Sequence, residues 1–175
     1  WVMMGSHFDS VVNGGDCDGI AGAVCAIEVA RQLKEEGVAP KRDFVAVGFC
    51  DEEGMRFGTG YFGSGAMLGN RDVEYCKNFA DKDGVTIYDA MKEYGLDPEK
   101  IEDAKWDVSK IGKFLELHIE QGPVLDAENI ELGLVDCIVG IQRYMVTVHG
   151  RADHAGTTPM DMRMDAVDAA TKVIS

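Results

Sequence analysis

Two short apolar runs, residues 1–4 and 43–50, stand on either side of a stretch with helical spacing. In that stretch Ile20, Ala23, Val24, Ile27, Ala30 and Leu33 recur three and four apart, and Gly37 offers a helix C-cap. The run Phe44-Val-Ala-Val-Gly-Phe49 has no polar alternation, as expected of a strand buried on both faces. Strand, helix, strand in this order predicts an α/β fold with a mostly parallel sheet flanked by helices. Ligands bind such sheets outside the carboxyl ends of the strands. The residues that follow each run are therefore the ones to read for chemistry.

The first run delivers Gly5-Ser-His7-Phe-Asp9-Ser10, and a glycine-rich turn then delivers Asp18 at the mouth of the helix. His7 and Asp9 are two apart on extended chain, so they point the same way. The second run ends in Asp51-Glu52-Glu53. Adjacent carboxylates can divide the work, one binding a metal and the other taking a proton. Residues 113–120 alternate: Leu115, Leu117 and Ile119 share one face of a predicted strand, and Glu116, His118 and Glu120 the other. Gly122-Pro123 ends that strand, which puts His118 near the same edge as Glu52-Glu53. His7, Asp18, Glu53 and His118 make a nitrogen/oxygen ligand set without thiolate. Such a set suits zinc, manganese, cobalt or nickel in catalytic rather than structural centres. Two ions bridged by one carboxylate use this many ligands economically. A phosphate cradle at Gly14-Gly15 is disfavoured, because Asp16 and Asp18 would repel the anion and no Walker lysine follows.

Residues 58–69 read as a loop with a short helix, 86–94 as a capped helix closed by Gly95, and 98 onward as another short helix. No chemistry is visible across 70–110, which reads as a surface excursion. Residues 132–139 and 144–150 are expected to be strands, the second in an antiparallel sheet with His149 on its surface in a structural role. A domain boundary is placed near 139, dividing 1–139 from 140–175. His154 follows Asp153 in a loop beyond that boundary, outside any first coordination shell, and a helix is expected from about Asp165 to Ser175. The apolar start and helical finish suggest an internal piece of a longer chain.

The formal net charge of −14 argues against nucleic acid and anionic membrane surfaces as partners, both of which require Lys/Arg patches. No apolar run approaches the ~20 residues that span a bilayer. Five cysteines without a CxxC pair predict reduced, mostly buried thiols in a cytoplasmic protein. Cys17 abuts Asp18 and could make metal occupancy redox-sensitive.

Four blocks in order carry a family likeness: Gly5-Ser-His-Phe-Asp-Ser-Val-Val-Asn-Gly-Gly-Asp-Cys-Asp-Gly19, Asp51-Glu-Glu-Gly-Met-Arg-Phe57, Glu116-Leu-His-Ile-Glu-Gln-Gly-Pro123 and His154-Ala-Gly-Thr-Thr-Pro-Met160. The chain resembles the hydantoinase/carbamoylase branch of the M20 metallopeptidase superfamily over nearly its whole length. That branch includes N-carbamoyl-L-amino-acid hydrolases, allantoate amidohydrolases and β-ureidopropionases.

The resemblance implies a zinc-peptidase-like catalytic domain, here partial, and the start of a smaller α+β lid and dimerisation domain. It implies two divalent ions per complete site, with His7 and His118 on one, Glu53 on the other and Asp18 between them. Asp9 would orient His7, Glu52 would be the general base, and His154 would stabilise the oxyanion, in relatives often from the neighbouring subunit. Gln121 and Arg163 would support or contact a small ureido substrate. The implied reaction is hydrolysis of a carbamoyl C–N bond, in a homodimer formed through the lid. A further histidine ligand and substrate contacts are expected downstream of Ser175. Cleavage of N-acyl amino acids, or a metal-binding domain kept only for association, are the competing readings.

Overall fold

The computed structural model describes residues 1–174. They fall into two compact units, Trp1–Ile130 and Glu131–Ser175, so the boundary read near 139 lies inside the second unit.

The first unit is built on a parallel sheet of order β2-β1-β3, with β1 at Val2–His7, β2 at Phe44–Phe49 and β3 at Lys113–Leu115. Helix α1, Ile20–Glu35, connects β1 to β2 and lies against both. It ends at Gly37, whose φ of 67° is the left-handed geometry that a C-cap glycine supplies without strain.

The face that α1 buries differs from the stripe expected. Gly22, Ala23 and Ala26 are buried, whereas Val24 and Ile27 are more than half exposed. The reason is closeness. A Cβ added at Gly22 would sit 2.1 Å from the Leu117 carbonyl oxygen and 2.8 Å from the Ser6 Cβ. Only small residues let the helix approach this near, so they take the inner face and the large aliphatics turn outward.

β2 is likewise not buried on both faces. It is an edge strand of this sheet, with Ala46 and Gly48 exposed. β3 is shorter than the expected 113–120, because its pairing with β1 stops at Leu115.

Residues 57–104 are more than a surface excursion. Helices α2 (Phe62–Met67), α3 (Val73–Asn78) and α4 (Ile87–Glu93) and a 3-10 helix at Pro98–Ala104 enclose Phe62, Ala66, Cys76, Ile87 and Ile101. This satellite core braces the loop after β2. Its caps read correctly from sequence: Thr86 accepts from the Asp89 amide at 3.0 Å, and Gly95 closes α4 at φ 90°. Thr86→Ala is expected to cost about 1 kcal/mol of stability, read as a lower denaturation midpoint at unchanged m-value.

Helix α5, Val124–Glu128, ends the first unit, its free amides held by the Glu120 carboxylate. In the second unit, residues 132–139 and 144–150 do not form the expected strands. Leu134, Ile138, Tyr144 and Met145 are more than four-fifths exposed. A strand exists only by pairing its backbone with a neighbour, and among the described residues neither segment has one. A 3-10 turn at Met160–Met162 and helix α6, Ala166–Ile174, are formed, the latter capped by Asp165 at the Val167 amide, 2.8 Å. The expected last helical residue, Ser175, lies outside the described residues.

The expectation of mostly buried thiols also fails. Cys76 alone is buried; Cys25 is intermediate, and Cys17, Cys50 and Cys137 are exposed, all five free. No helix among the described residues is long and apolar enough to cross a membrane.

Candidate metal centre

All three strands send a functional segment past their carboxyl ends. β1 ends in His7, β2 runs into Asp51-Glu52-Glu53, and the chain after β3 carries His118. Asp18 arrives from the turn before α1. His7 and Asp18 are almost wholly buried, at 3% exposure each. The His118 side chain is 28% exposed.

The tautomers follow from the backbone. His7 Nδ1 lies 2.7 Å from the Asp9 carbonyl oxygen, and His118 Nδ1 lies 2.9 Å from the Ile119 carbonyl oxygen. A carbonyl can only accept, so in the neutral rings both Nδ1 atoms carry the hydrogen and both Nε2 atoms present lone pairs. These two Nε2 atoms face each other at 3.1 Å. Asp18 Oδ1 lies 3.3 Å from His118 Nε2 and 3.8 Å from His7 Nε2, and it is buried with no hydrogen-bond partner.

Three bare acceptors pointed at one another repel unless a cation lies between them. A tetrahedral ion with bonds of ~2.0–2.1 Å would hold its ligand atoms ~3.3 Å apart; the two contacts of His118 Nε2 are near that value, and the His7–Asp18 separation of 3.8 Å is longer. The donor set therefore fits a divalent metal. A second grouping, His7 with Glu52 and Glu53, also brings potential ligand atoms within 4.8 Å of one another. His7 is common to both groupings. Asp18 uses its other oxygen, Oδ2, to accept from Gln121 Nε2 at 3.1 Å.

Asp9 holds His7 through its backbone carbonyl; its carboxylate stands 3.9 Å from the ring nitrogen. Instead the carboxylate accepts from the amides of Glu52 and Glu53, each at 3.0 Å. One side chain thus ties the β1 end to the β2 end. Burial pushes the Glu52 carboxyl above the usual carboxylate range; His7 opposes this, and Glu53, Asp9 and Glu116 add to it. Asp51 is raised in the same way, by burial and then by Asp9. Asp51 and Gln121 hold positive φ angles of 50° and 55°, backbone strain of the kind found at functional sites.

Ser6 and Glu116 were not singled out from the sequence. The Ser6 hydroxyl donates to Glu116 Oε1 and joins the ends of β1 and β3. Alternation had put Glu116 on the His118 face; the serine's part needed the sheet order.

His154 and Arg163 belong to the second unit. His154 Nδ1 accepts from the Gly156 and Thr157 amides at 3.1 and 3.2 Å, so its Nε2 carries the hydrogen and is a donor. Arg163 donates to the carbonyls of Thr158 and Ala155 and props the loop that presents His154.

Imidazole and carboxylate donors gathered at the carboxyl edge of a parallel α/β sheet define an α/β domain with a candidate metal-binding centre. The chain belongs to peptidase family M20/M25/M40, whose family model matches residues 3–175, and the family is metal-dependent. Among curated proteins it is 43% identical over 173 residues to the N-carbamoyl-L-amino-acid amidohydrolase of Paenarthrobacter aurescens, and 42% over 174 residues to the allantoate amidohydrolase of Bacillus subtilis (strain 168). Each alignment covers 99% of this chain and 42% of the relative, so the chain spans about two-fifths of their length. Among solved structures, a hydantoinase/carbamoylase family amidase from Burkholderia ambifaria superposes with a TM-score of 0.71 at 29% identity, over 99% of this chain and 42% of that one.

Proposed function

We propose that this chain carries most of the centre of a metal-dependent amidohydrolase that cleaves the carbamoyl C–N bond of N-carbamoyl-L-amino acids or allantoate, releasing ammonia and carbon dioxide. The observation that carries the proposal is the convergence of His7 Nε2, His118 Nε2 and the unpartnered Asp18 Oδ1 beside the Glu52 carboxyl. A divalent metal bound there supplies Lewis acidity, which polarises the substrate carbonyl and brings the pKa of water to about 7.

His7 and His118 would hold one ion and Glu53 a second, with Asp18 as the ligand common to both; zinc, manganese, cobalt and nickel would suit the set. Glu52 accepts the proton of the attacking water on its carboxylate and returns it to the departing nitrogen. Its raised pKa makes the carboxylate a stronger base for the first transfer. His154 donates its Nε2 hydrogen to the oxyanion of the tetrahedral intermediate, and Arg163 keeps its loop in shape. The substrate is a small ureido compound, which Gln121 would contact. The protein works in the cytoplasm as a homodimer, with residues 140–175 opening the lid domain.

A second reading, hydrolysis of N-acyl amino acids, draws on the peptidase name of the family. Ammonia release from allantoate, N-carbamoyl-L-amino acids and β-ureidopropionate, set against amino-acid release from N-acetyl amino acids, separates the two. Turnover of a ureido compound with none of the acetyl compounds is expected. Bound metal without turnover of either class would instead favour an association domain.

A further inference from the structure

The general base proposed above is held from two sides, and the second side leads to an arginine outside the four signature blocks. Asp9 takes the Glu52 and Glu53 amides. On the carbonyl side, the Tyr61 amide donates to the Glu52 oxygen at 2.8 Å and the Phe62 amide to the Asp51 oxygen at 3.0 Å. Those two N–H groups belong to the peptide units whose carbonyls are Gly60 and Tyr61. Arg71 Nη2 donates to both carbonyls, at 3.2 and 3.3 Å. Two short relays therefore run from one guanidinium through a single peptide unit each to the backbone of Asp51 and Glu52. A cationic donor polarises each amide and strengthens the bond on its far side.

The guanidinium is itself fixed. It lies 4.4 Å over the Tyr75 ring, and its Nη1 donates to the Asn70 carbonyl at 3.0 Å. Gly65 lets it pass: a Cβ there would stand 2.6 Å from Cζ. Tyr75 is tied in turn to Thr59 through their hydroxyls. The backbone that the relays hold has no slack, since a Cβ on Gly60 would lie 2.5 Å from the Glu52 oxygen.

We propose that Arg71 is a positioning residue for Glu52, acting through the Gly60–Tyr61 and Tyr61–Phe62 peptide units rather than by touching metal or substrate. The inference rests on the reading of Glu52 as the base. Lysine keeps the charge and its ammonium can donate to two carbonyls, but it has no planar group to lie on the Tyr75 ring while a second nitrogen holds the Asn70 carbonyl. In the full-length, metal-loaded protein Arg71→Lys is expected to lower kcat about 10²-fold, the scale of an ångström-sized displacement of a catalytic group, with KM within twofold and bound zinc or manganese unchanged. In a Glu52→Gln background the same change should have no further effect on kcat. Methylguanidinium added to Arg71→Ala should restore part of the lost turnover.

Arg71→Lys with kcat within twofold of the parent overturns the inference while leaving the base intact. So does a variant that loses metal or folded protein along with turnover and shows no methylguanidinium rescue, because Arg71 is then a folding residue. Near-normal turnover of Glu52→Gln itself overturns the reading beneath it.

Discussion

Glu52→Gln in the full-length, metal-loaded protein is expected to keep its metal and lose about 10³-fold in kcat, the middle of the range for a positioned acid–base group. The amide is nearly isosteric with the carboxylate. The residue's backbone bonds to Asp9 and Tyr61 do not involve the side chain, so the loop should stay in place. What is lost is the capacity to take a proton from water and give it to nitrogen. Ammonia release and metal content measured on one preparation check this. Near-normal release would remove Glu52 as the base, whereas loss of metal in parallel would make it a ligand instead.

Gly19→Ala is expected to weaken metal binding by at least about tenfold, the lower end of what disturbing a ligand's support costs. Gly19 holds φ 67°, and a Cβ there would lie 2.3 Å from both Cε1 and Nδ1 of His7. Left-handed backbone alone costs a residue with a Cβ roughly 1–2 kcal/mol. The contact is worse, because the ring is held at that same Nδ1 by the Asp9 carbonyl. Relief requires turning the imidazole, which takes Nε2 away from His118 and Asp18. Competition against a chelator measures the affinity. Gly15→Ala is the control, since a Cβ there meets nothing within 4 Å. Equal affinity in Gly19→Ala and Gly15→Ala would mean that the His7 ring is not held as described.

These two positions also mark where sequence reading succeeds and where it stops. Glu52 was legible because a carboxylate pair directly after an apolar strand sits where parallel sheets bind ligands. Gly19 was read only as the last residue of the first signature block; its role depends on a ring twelve residues earlier folding back over it. The resemblance gave Asp9 the part of orienting His7, and its backbone carbonyl does meet the ring. Its side chain also reaches the amides of Glu52 and Glu53 across the sheet, a pairing set by strand order. Arg71 lay in a stretch without visible chemistry, because its contacts are to backbone carbonyls and backbone has no signature in sequence.

What the sequence determined by itself was local. Apolar runs, helical spacing and capping residues follow from neighbours in the chain, so β1, α1, β2 and the cap of α4 could be read, as could the residue types gathered at the strand ends. Strand pairing could not. The alternation at 144–150 says which face each side chain would take, but supplies no partner, and the segment is unpaired. The tertiary structure alone decided that β1 lies between β2 and β3, and that order brings His7, Asp18, Glu52 and His118 to one edge. The physical reason is that a hydrogen-bond ladder and a buried lone pair are satisfied by whatever lies nearby in space, at any separation along the chain.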